Sequence, residues 1–259
     1  MALLRCVLGF FFVIAFGFFY GISMRMRFKE LPRLLIIAIL YLAHTIGLNI
    51  GTNLTSASHS TILVSLYPLF AVIFAHFWIK DDKLTLPKLI GIIIAFGGVF
   101  ITVLPKLQSG SGATSLIGDF IVMLSGAIVG LRMTFTKIYL QEIHPYRLLI
   151  WLLSFSIPCL LLLGYFFEGD ETIKLSIPVV VAVIYQGWIV AGVLLVSWTS
   201  LLRKYKASKI IVFFFLMPIS GVVFSYLLLG DELSIYVLAG TALVAVGIYL
   251  VNMRRKEIL

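Results

Sequence analysis

Polar side chains recur along one side of an otherwise apolar segment, residues 34–54, and in the turn after it. They are Tyr41, Thr45, Asn49, Thr52 and Ser56. Intervals of three or four residues place them on one face of an α-helix. Such groups recognise partners through hydrogen bonds, and inside a membrane they must face a cavity or another helix. The spacing leaves a solute-binding stripe and a set of interhelical hydrogen bonds equally open.

Further candidates lie on other apolar segments. His44 flanks the stripe, and Tyr185 and Trp188 begin a weaker stripe on residues 177–201. Arg132 is a cation near the cytoplasmic end of its segment, where binding a carboxylate or phosphate and reaching out to lipid headgroups are both open.

Two prolines occupy related positions in the sequence. Pro68 and Pro218 are predicted inside helices, where each removes one backbone hydrogen bond and frees a carbonyl group. A moving hinge and a static kink are both open. Tyr67 and Met217 precede these prolines and would lie near whatever they open. The predicted substrate-binding residues are therefore Tyr41, His44, Thr45, Asn49, Tyr67, Pro68, Arg132, Tyr185, Trp188, Met217 and Pro218.

No catalytic or metal-binding constellation is predicted. The four histidines have no paired ligand spacing, and the two cysteines match no metal or redox motif. Asp119 and Asp231 are interpreted as caps at helix starts, so no carboxylate is expected at mid-bilayer. The sequence thus predicts no enzyme and no cofactor. A neutral, zwitterionic or amphipathic solute fits the Tyr, Trp, Asn and Thr side chains better than a cation exchanged for protons.

The composition defines the class of protein that must position these residues. Hydrophobic residues make up 61% of the 259 residues, charged residues only 12%, and the mean hydropathy is +1.13. Soluble domains are nearer half apolar and a quarter charged. Nine apolar runs are long enough to cross a bilayer: residues 2–22, 34–54, 58–79, 86–104, 116–138, 147–167, 177–201, 208–229 and 234–252. The predicted fold is an all-α polytopic membrane protein.

The basic residues orient these spans. Alternate connections hold 17 of the 20 lysines and arginines, and this excess marks the cytoplasmic side. The net charge of +9 therefore serves membrane topology at the lipid surface, and no nucleic-acid partner is expected. With nine spans, the N-terminus is predicted outside and the C-terminus in the cytoplasm.

The sequence repeats itself. Ala57-Ser58 and Pro68 match Ala207-Ser208 and Pro218 at an offset of 150, and Gly91 and Gly98 match Gly240 and Gly247 at 149. Because five spans separate the mates, the two copies run antiparallel, as in transporters built from inverted repeats. We expect repeats at 1–104 (four helices) and 116–252 (five helices), a linker at 105–115 and a tail at 253–259. A tenth helix before residue 1 would complete the first repeat.

The phrase LGDELS at 229–234, with the spaced glycines after it, Pro218 before it and Gly118-Asp119, resembles the drug/metabolite transporter superfamily in its EamA-like branch. The resemblance implies ten helices in two inverted repeats and movement of small metabolites across the inner or plasma membrane. Export of an amino acid or amphipathic solute by alternating access is the leading hypothesis. A non-transporting helper subunit or inactive truncated carrier, and a membrane-embedded lipid-modifying enzyme, are the alternatives. The GxxxG pairs Gly17/Gly21 and Gly126/Gly130 leave open internal packing or a homodimer seam.

Overall fold

The protein is described by a computed structural model covering residues 2–80, 83–109, 113–167, 177–204 and 212–252. These residues form helices and connecting turns, with no strand among them. The α-helices are α1 (Ala2–Phe19), α2 (Leu31–Leu54), α3 (Ala57–Val64), α4 (Tyr67–Trp78), α5 (Leu86–Ser109), α6 (Ala113–Tyr139), α7 (Pro145–Phe167), α8 (Ile177–Ile184), α9 (Leu195–Lys204), α10 (Leu216–Phe224) and α11 (Ile235–Asn252). Short 3₁₀ segments, Phe28–Glu30 and Val212–Phe215, lead into α2 and α10.

Seven helical stretches are long and apolar enough to cross a membrane, which confirms the predicted all-α polytopic class. They correspond to the first seven predicted spans. The eighth and ninth are shorter where described, at Leu216–Leu229 and Ile235–Val251, and residues 205–211 of the eighth lie outside the described part. Large apolar side chains such as Phe18 and Leu228 are mostly exposed, as expected of helices that face lipid.

Neither proline lies in a helix interior, where both were predicted. The third span is two helices, because α3 ends at Val64 and α4 begins at Tyr67, so Pro68 occupies the first turn of α4. Pro218 likewise lies in the first turn of α10, after a 3₁₀ segment. A proline costs little in a first turn, where its missing N–H has no intrahelical partner. Both prolines therefore lie in a first turn rather than in the predicted helix interior, and the choice between a hinge and a static kink stays a prediction.

Two stretches are wound more loosely than an α-helix. Tyr185–Leu194, between α8 and α9, and Ser225–Leu229, after α10, are π-helical. The second ends at Gly230, whose φ of +73° is the left-handed conformation that favours glycine at a helix end. π-Helical turns are rare and often mark functional sites. One lies on the predicted seventh span and the other on the predicted eighth.

The chain divides into two compact units. The first contains residues 1–42 and 135–206. In it α1 packs against α7 and the longer π-helix, around fully buried side chains that include Val13, Ile37 and Leu152. Gly9 of α1 lies against Ala191, where an added Cβ would come within 2.7 Å of the alanine Cβ, so this crossing is close.

The second unit contains residues 43–134 and 207–259. In it α5 packs extensively against α11, and Ala95, Val244 and Ile248 are fully buried in the shared core. Gly126 and Gly130 of α6 lie against the backbone of α3 and α4. This glycine pair therefore serves packing within the unit.

Candidate functional site

The two residues that precede the prolines touch each other. The Tyr67 hydroxyl donates a hydrogen bond to Sδ of Met217 over 3.4 Å. The Tyr67 ring also meets Phe214 edge to face, with centroids 5.4 Å apart. The Arg132 guanidinium interacts electrostatically with the same phenol. Tyr67, Met217 and Arg132, three of the predicted substrate-binding residues, thus form one cluster beside buried Pro68 and Pro218.

Tyr67 and Met217 are mates at the repeat offset of 150, so a contact between them joins equivalent points of the two copies. The glycines of α5 and α11 show the same pattern. A Cβ on Gly91 would lie 2.7 Å from the Gly247 carbonyl oxygen, and one on Gly98 would lie 2.7 Å from that of Gly240. Each glycine therefore contacts the mate of the other, as across a two-fold axis. The descending order of partners also means that α5 and α11 run antiparallel.

The polar stripe of α2 faces away from α6. Gly47 and Gly51 lie against Ser125 and Val122 of α6. Thr45 is two positions from Gly47, about 200° around the helix, and so lies on the far face. Its hydroxyl is buried and has no hydrogen-bond partner among the described residues, whereas Asn49 on the same face is exposed. His44 is half-buried beside Thr45.

The two ends of the predicted stripe lie outside this arrangement. Ser56 comes after α2 has ended and caps α3, because its hydroxyl accepts the backbone N–H of His59 over 3.2 Å. Tyr41 belongs to the first unit, as do Tyr185 and Trp188. The last two lie on the π-helix and are exposed by 56% and 53%. The eleven predicted residues are therefore divided between the two units.

A charged residue that the sequence analysis did not single out contacts Tyr41. Nη2 of Arg5 lies 3.3 Å from the Tyr41 hydroxyl oxygen, and Sγ of Cys6 lies 3.2 Å from the same oxygen. Arg5 lies near the start of α1, at one end of an apolar run. A cation within an apolar run was the signal available, since such residues are functional candidates by default.

The expectation that Asp119 caps its own helix is wrong. Asp119 lies two turns inside α6, and its side chain is only 5% exposed. Its carboxylate accepts a hydrogen bond from the Thr55 hydroxyl over 2.5 Å and lies 3.3 Å from Nδ1 of His59. A buried carboxylate is retained where polar groups satisfy it, and here α3 and the turn before it supply those groups to Asp119 of α6.

Asp231 does cap a helix, but not the one that follows it. Its carboxylate accepts the backbone N–H of Ser58 over 2.8 Å, in the first turn of α3. The helix after it, α11, receives a hydroxyl cap from Ser234, which accepts the N–H of Val237. Asp231 therefore ties the loop before α11 to the start of α3. The equivalent pair, Asp82 and Ser208, lies outside the described residues.

Two other features could mark a site, a cluster of metal ligands and a cavity. Within the described residues no group of three or more His, Cys, Asp or Glu side chains is placed to hold a metal ion. An open apolar cavity of about 310 Å³ is lined by Thr85, Leu86, Pro87, Ile90 and Leu250. It contains no predicted site residue and no charged or hydrogen-bonding pair, so the polar clusters described above are the better candidates.

Comparison with known proteins agrees with this architecture. The family model of the EamA-like transporter family matches residues 1–104 and 116–253. An uncharacterized transporter of Archaeoglobus fulgidus is 26% identical over 233 residues, 89% of this chain and 81% of that protein. The uncharacterized transporters YvbV and YoaV of Bacillus subtilis are 25% and 23% identical, covering 90% and 78% of this chain and 75% and 69% of their own lengths.

A solved structure titled only as the crystal structure of a protein shares the fold. Its TM-score is 0.69 at 16% identity, over 96% of this chain and 86% of that one. Fold and relatives together define a multi-pass helical membrane protein of a transporter class. The chain belongs to the EamA-like transporter family.

Proposed function

We propose that this protein carries small metabolites across the membrane by alternating access, and that export of an amino acid or amphipathic solute is its activity. Reciprocal contacts between the mated residues Tyr67 and Met217, and between the glycines of α5 and α11, carry the proposal. A two-fold arrangement of antiparallel copies gives inward-facing and outward-facing packings of similar energy, which a carrier needs. A membrane enzyme or a helper subunit has no such need.

The binding residues in this proposal are the predicted set, with the cluster at Tyr67, Met217 and Arg132 and the far face of α2 as its parts in the second unit. Thr45 is the most specific candidate in this set. Its buried hydroxyl has no hydrogen-bond partner among the described residues, and a solute can supply one. The position of Pro68 at the junction of α3 and α4 supports movement, since a junction between two helices allows them to shift. We place the protein in the bacterial or archaeal cytoplasmic membrane, with the N-terminus outside and the C-terminus inside.

Uptake into proteoliposomes tests this proposal. The purified full chain is assayed with labelled amino acids and small amphipathic metabolites, and we expect saturable uptake of at least one solute above protein-free liposomes. Absence of flux for every solute, from protein shown to be folded, would contradict the proposed function.

A matched pair of threonines tests the proposed site. Thr45→Val and Thr136→Val each remove a buried hydroxyl that has no partner among the described residues. We expect Thr45→Val to raise KM about tenfold, equivalent to about 1.4 kcal/mol. Thr136→Val, outside the predicted set, should leave KM unchanged. Equal effects of the two substitutions would remove Thr45 from the site.

A further inference from the structure

The first unit contains a positive charge inside a membrane span. Arg5 is the fourth residue of α1, and its guanidinium reaches the Tyr41 hydroxyl at 3.3 Å. Tyr41 is the eleventh residue of the 24-residue helix α2, about 15 Å from one end and 20 Å from the other at 1.5 Å per residue. The contact therefore directs the guanidinium toward the middle of the span and away from the headgroups.

No carboxylate balances this charge within the described residues. Arg33 pairs with Glu142 and Arg147 pairs with Glu30, and Arg5 is in neither pair. Its polar contacts are a hydroxyl and the neighbouring thiol of Cys6. Arginine does not lose its proton in proteins, so this cation cannot be neutralised by deprotonation.

An uncompensated cation in a low-dielectric environment is costly, and an anion that approaches it recovers much of that cost. A guanidinium presents parallel N–H donors that match the two oxygens of a carboxylate. A hydroxyl proton rotates about its C–O bond, so the Tyr41 hydroxyl can add a third donor beside the guanidinium when an anion arrives. Arg5 and Tyr41 together thus offer the donors of a carboxylate site in a region where water is scarce.

We propose that Arg5 and Tyr41 form an anion-binding site that takes the carboxylate of the transported solute. This inference rests on the proposed transport function and adds the charged group by which a solute is recognised. A carboxylate fits better than a phosphate, because the site holds one cation and a doubly charged group would need more than one cation to balance it. An anionic lipid headgroup offers similar chemistry, so the test must separate the two sources.

The first measurement is binding, which does not depend on transport. Thermal stabilisation of the full chain in detergent is measured with amino acids and small hydrophobic acids, each compared with its own carboxamide. We expect acids to raise the melting temperature of the wild type. At equal concentration, each amide should produce a shift at least tenfold smaller. Arg5→Gln should remove this preference and Arg5→Lys should retain part of it. Arg33→Gln, a change to an arginine already paired with Glu142, should keep the full preference.

The second measurement is uptake of the same acid and amide pairs into liposomes. Flux in the wild type with an unchanged acid-to-amide ratio in Arg5→Gln would overturn the anion site and leave the transport proposal standing. Arg5-dependent, acid-selective stabilisation without flux would keep the site and contradict transport. If Arg5→Gln does not fold, Tyr41→Phe replaces it, with at least a threefold fall in acid preference expected and no fall overturning the site.

The third arm addresses lipid. Stabilisation is repeated with added phosphatidylglycerol in place of the acids, against phosphatidylcholine as the neutral control. Arg5-dependent stabilisation by phosphatidylglycerol, with none by any soluble acid, would assign the site to a headgroup and overturn the proposal. Stabilisation by soluble acids in neutral lipid supports it.

Discussion

The packing of α5 against α11 makes a quantitative prediction at two adjacent glycines. A Cβ on Gly98 would lie 2.7 Å from the Gly240 carbonyl oxygen, 2.9 Å from Cβ of Leu243 and 3.0 Å from the backbone nitrogen of Val244. Two of these atoms belong to helix backbone, so relief requires the helices to separate. A Cβ on Gly97, one residue away, meets nothing within 4 Å.

Gly97→Ala is therefore the matched control for Gly98→Ala. Both substitutions gain the same helix propensity, up to about 1 kcal/mol. Only Gly98→Ala adds overpacking, which costs about 1–3 kcal/mol in a well-packed core. Because the propensity gain cancels between the two variants, their difference in free energy of unfolding reports the close approach alone.

The assay is equilibrium unfolding of the purified variants in mixed micelles with increasing sodium dodecyl sulfate. We expect Gly98→Ala to be about 1–3 kcal/mol less stable than Gly97→Ala. Gly247→Ala should behave like Gly98→Ala, since its Cβ would lie 2.5 Å from the Gly91 carbonyl oxygen. Equal stability of the Gly97 and Gly98 variants would refute the glycine-mediated packing.

Three further predictions concern polar contacts, each measured by the same unfolding assay. Asp231→Ala removes the acceptor at the start of α3 and should cost about 0.5–2 kcal/mol, with Asp231→Asn milder; no loss would exclude this cap. Asp119→Ala removes one acceptor of the Thr55 hydroxyl and should cost about 1–3 kcal/mol, with Asp119→Asn recovering most of the loss; equal losses would contradict the hydrogen-bonding role. Glu30→Gln breaks a buried pair with an arginine and should cost about 3–5 kcal/mol, whereas Glu142→Gln at an exposed pair should cost nothing measurable; the reverse order would contradict the burial of Glu30.

The internal repeat was the most informative feature of the sequence. Alignment of Gly91 and Gly98 with Gly240 and Gly247 anticipated residues that contact each other's mates in the structure. Long apolar runs predicted the helical membrane class, because bilayer thickness fixes the length that a membrane-spanning helix needs. The apolar runs are a local signal, and the repeat is found by comparing two stretches of one chain. A single sequence therefore contains both signals.

Other features depend on tertiary contacts that spacing does not encode. The Asp231 side chain caps α3, 173 residues away in sequence, where the position alone suggested a cap for its own helix. Asp119 and His59 come together only because α3 and α6 pack side by side. The sequence also showed prolines within apolar runs, but not that the helices would end and restart there.

Arg5 illustrates a different reason. Arg5 lies close to the start of an apolar run, which suggests that it sits at the membrane surface. A long side chain, however, can extend in either direction along a helix. The contact with the Tyr41 hydroxyl, on another helix, sets the direction of the guanidinium. A sequence reader can list such a cation as a candidate but cannot choose its direction.

Counterflow in proteoliposomes tests the central claim most directly. Liposomes containing the purified chain are loaded with excess unlabelled solute and then diluted into a trace of the same solute in labelled form. A carrier whose site alternates between the two sides predicts transient accumulation of label above the level at equilibrium. Label that only rises to equilibrium would contradict alternating access, and label that does not enter at all, in liposomes of folded protein, would contradict transport of that solute.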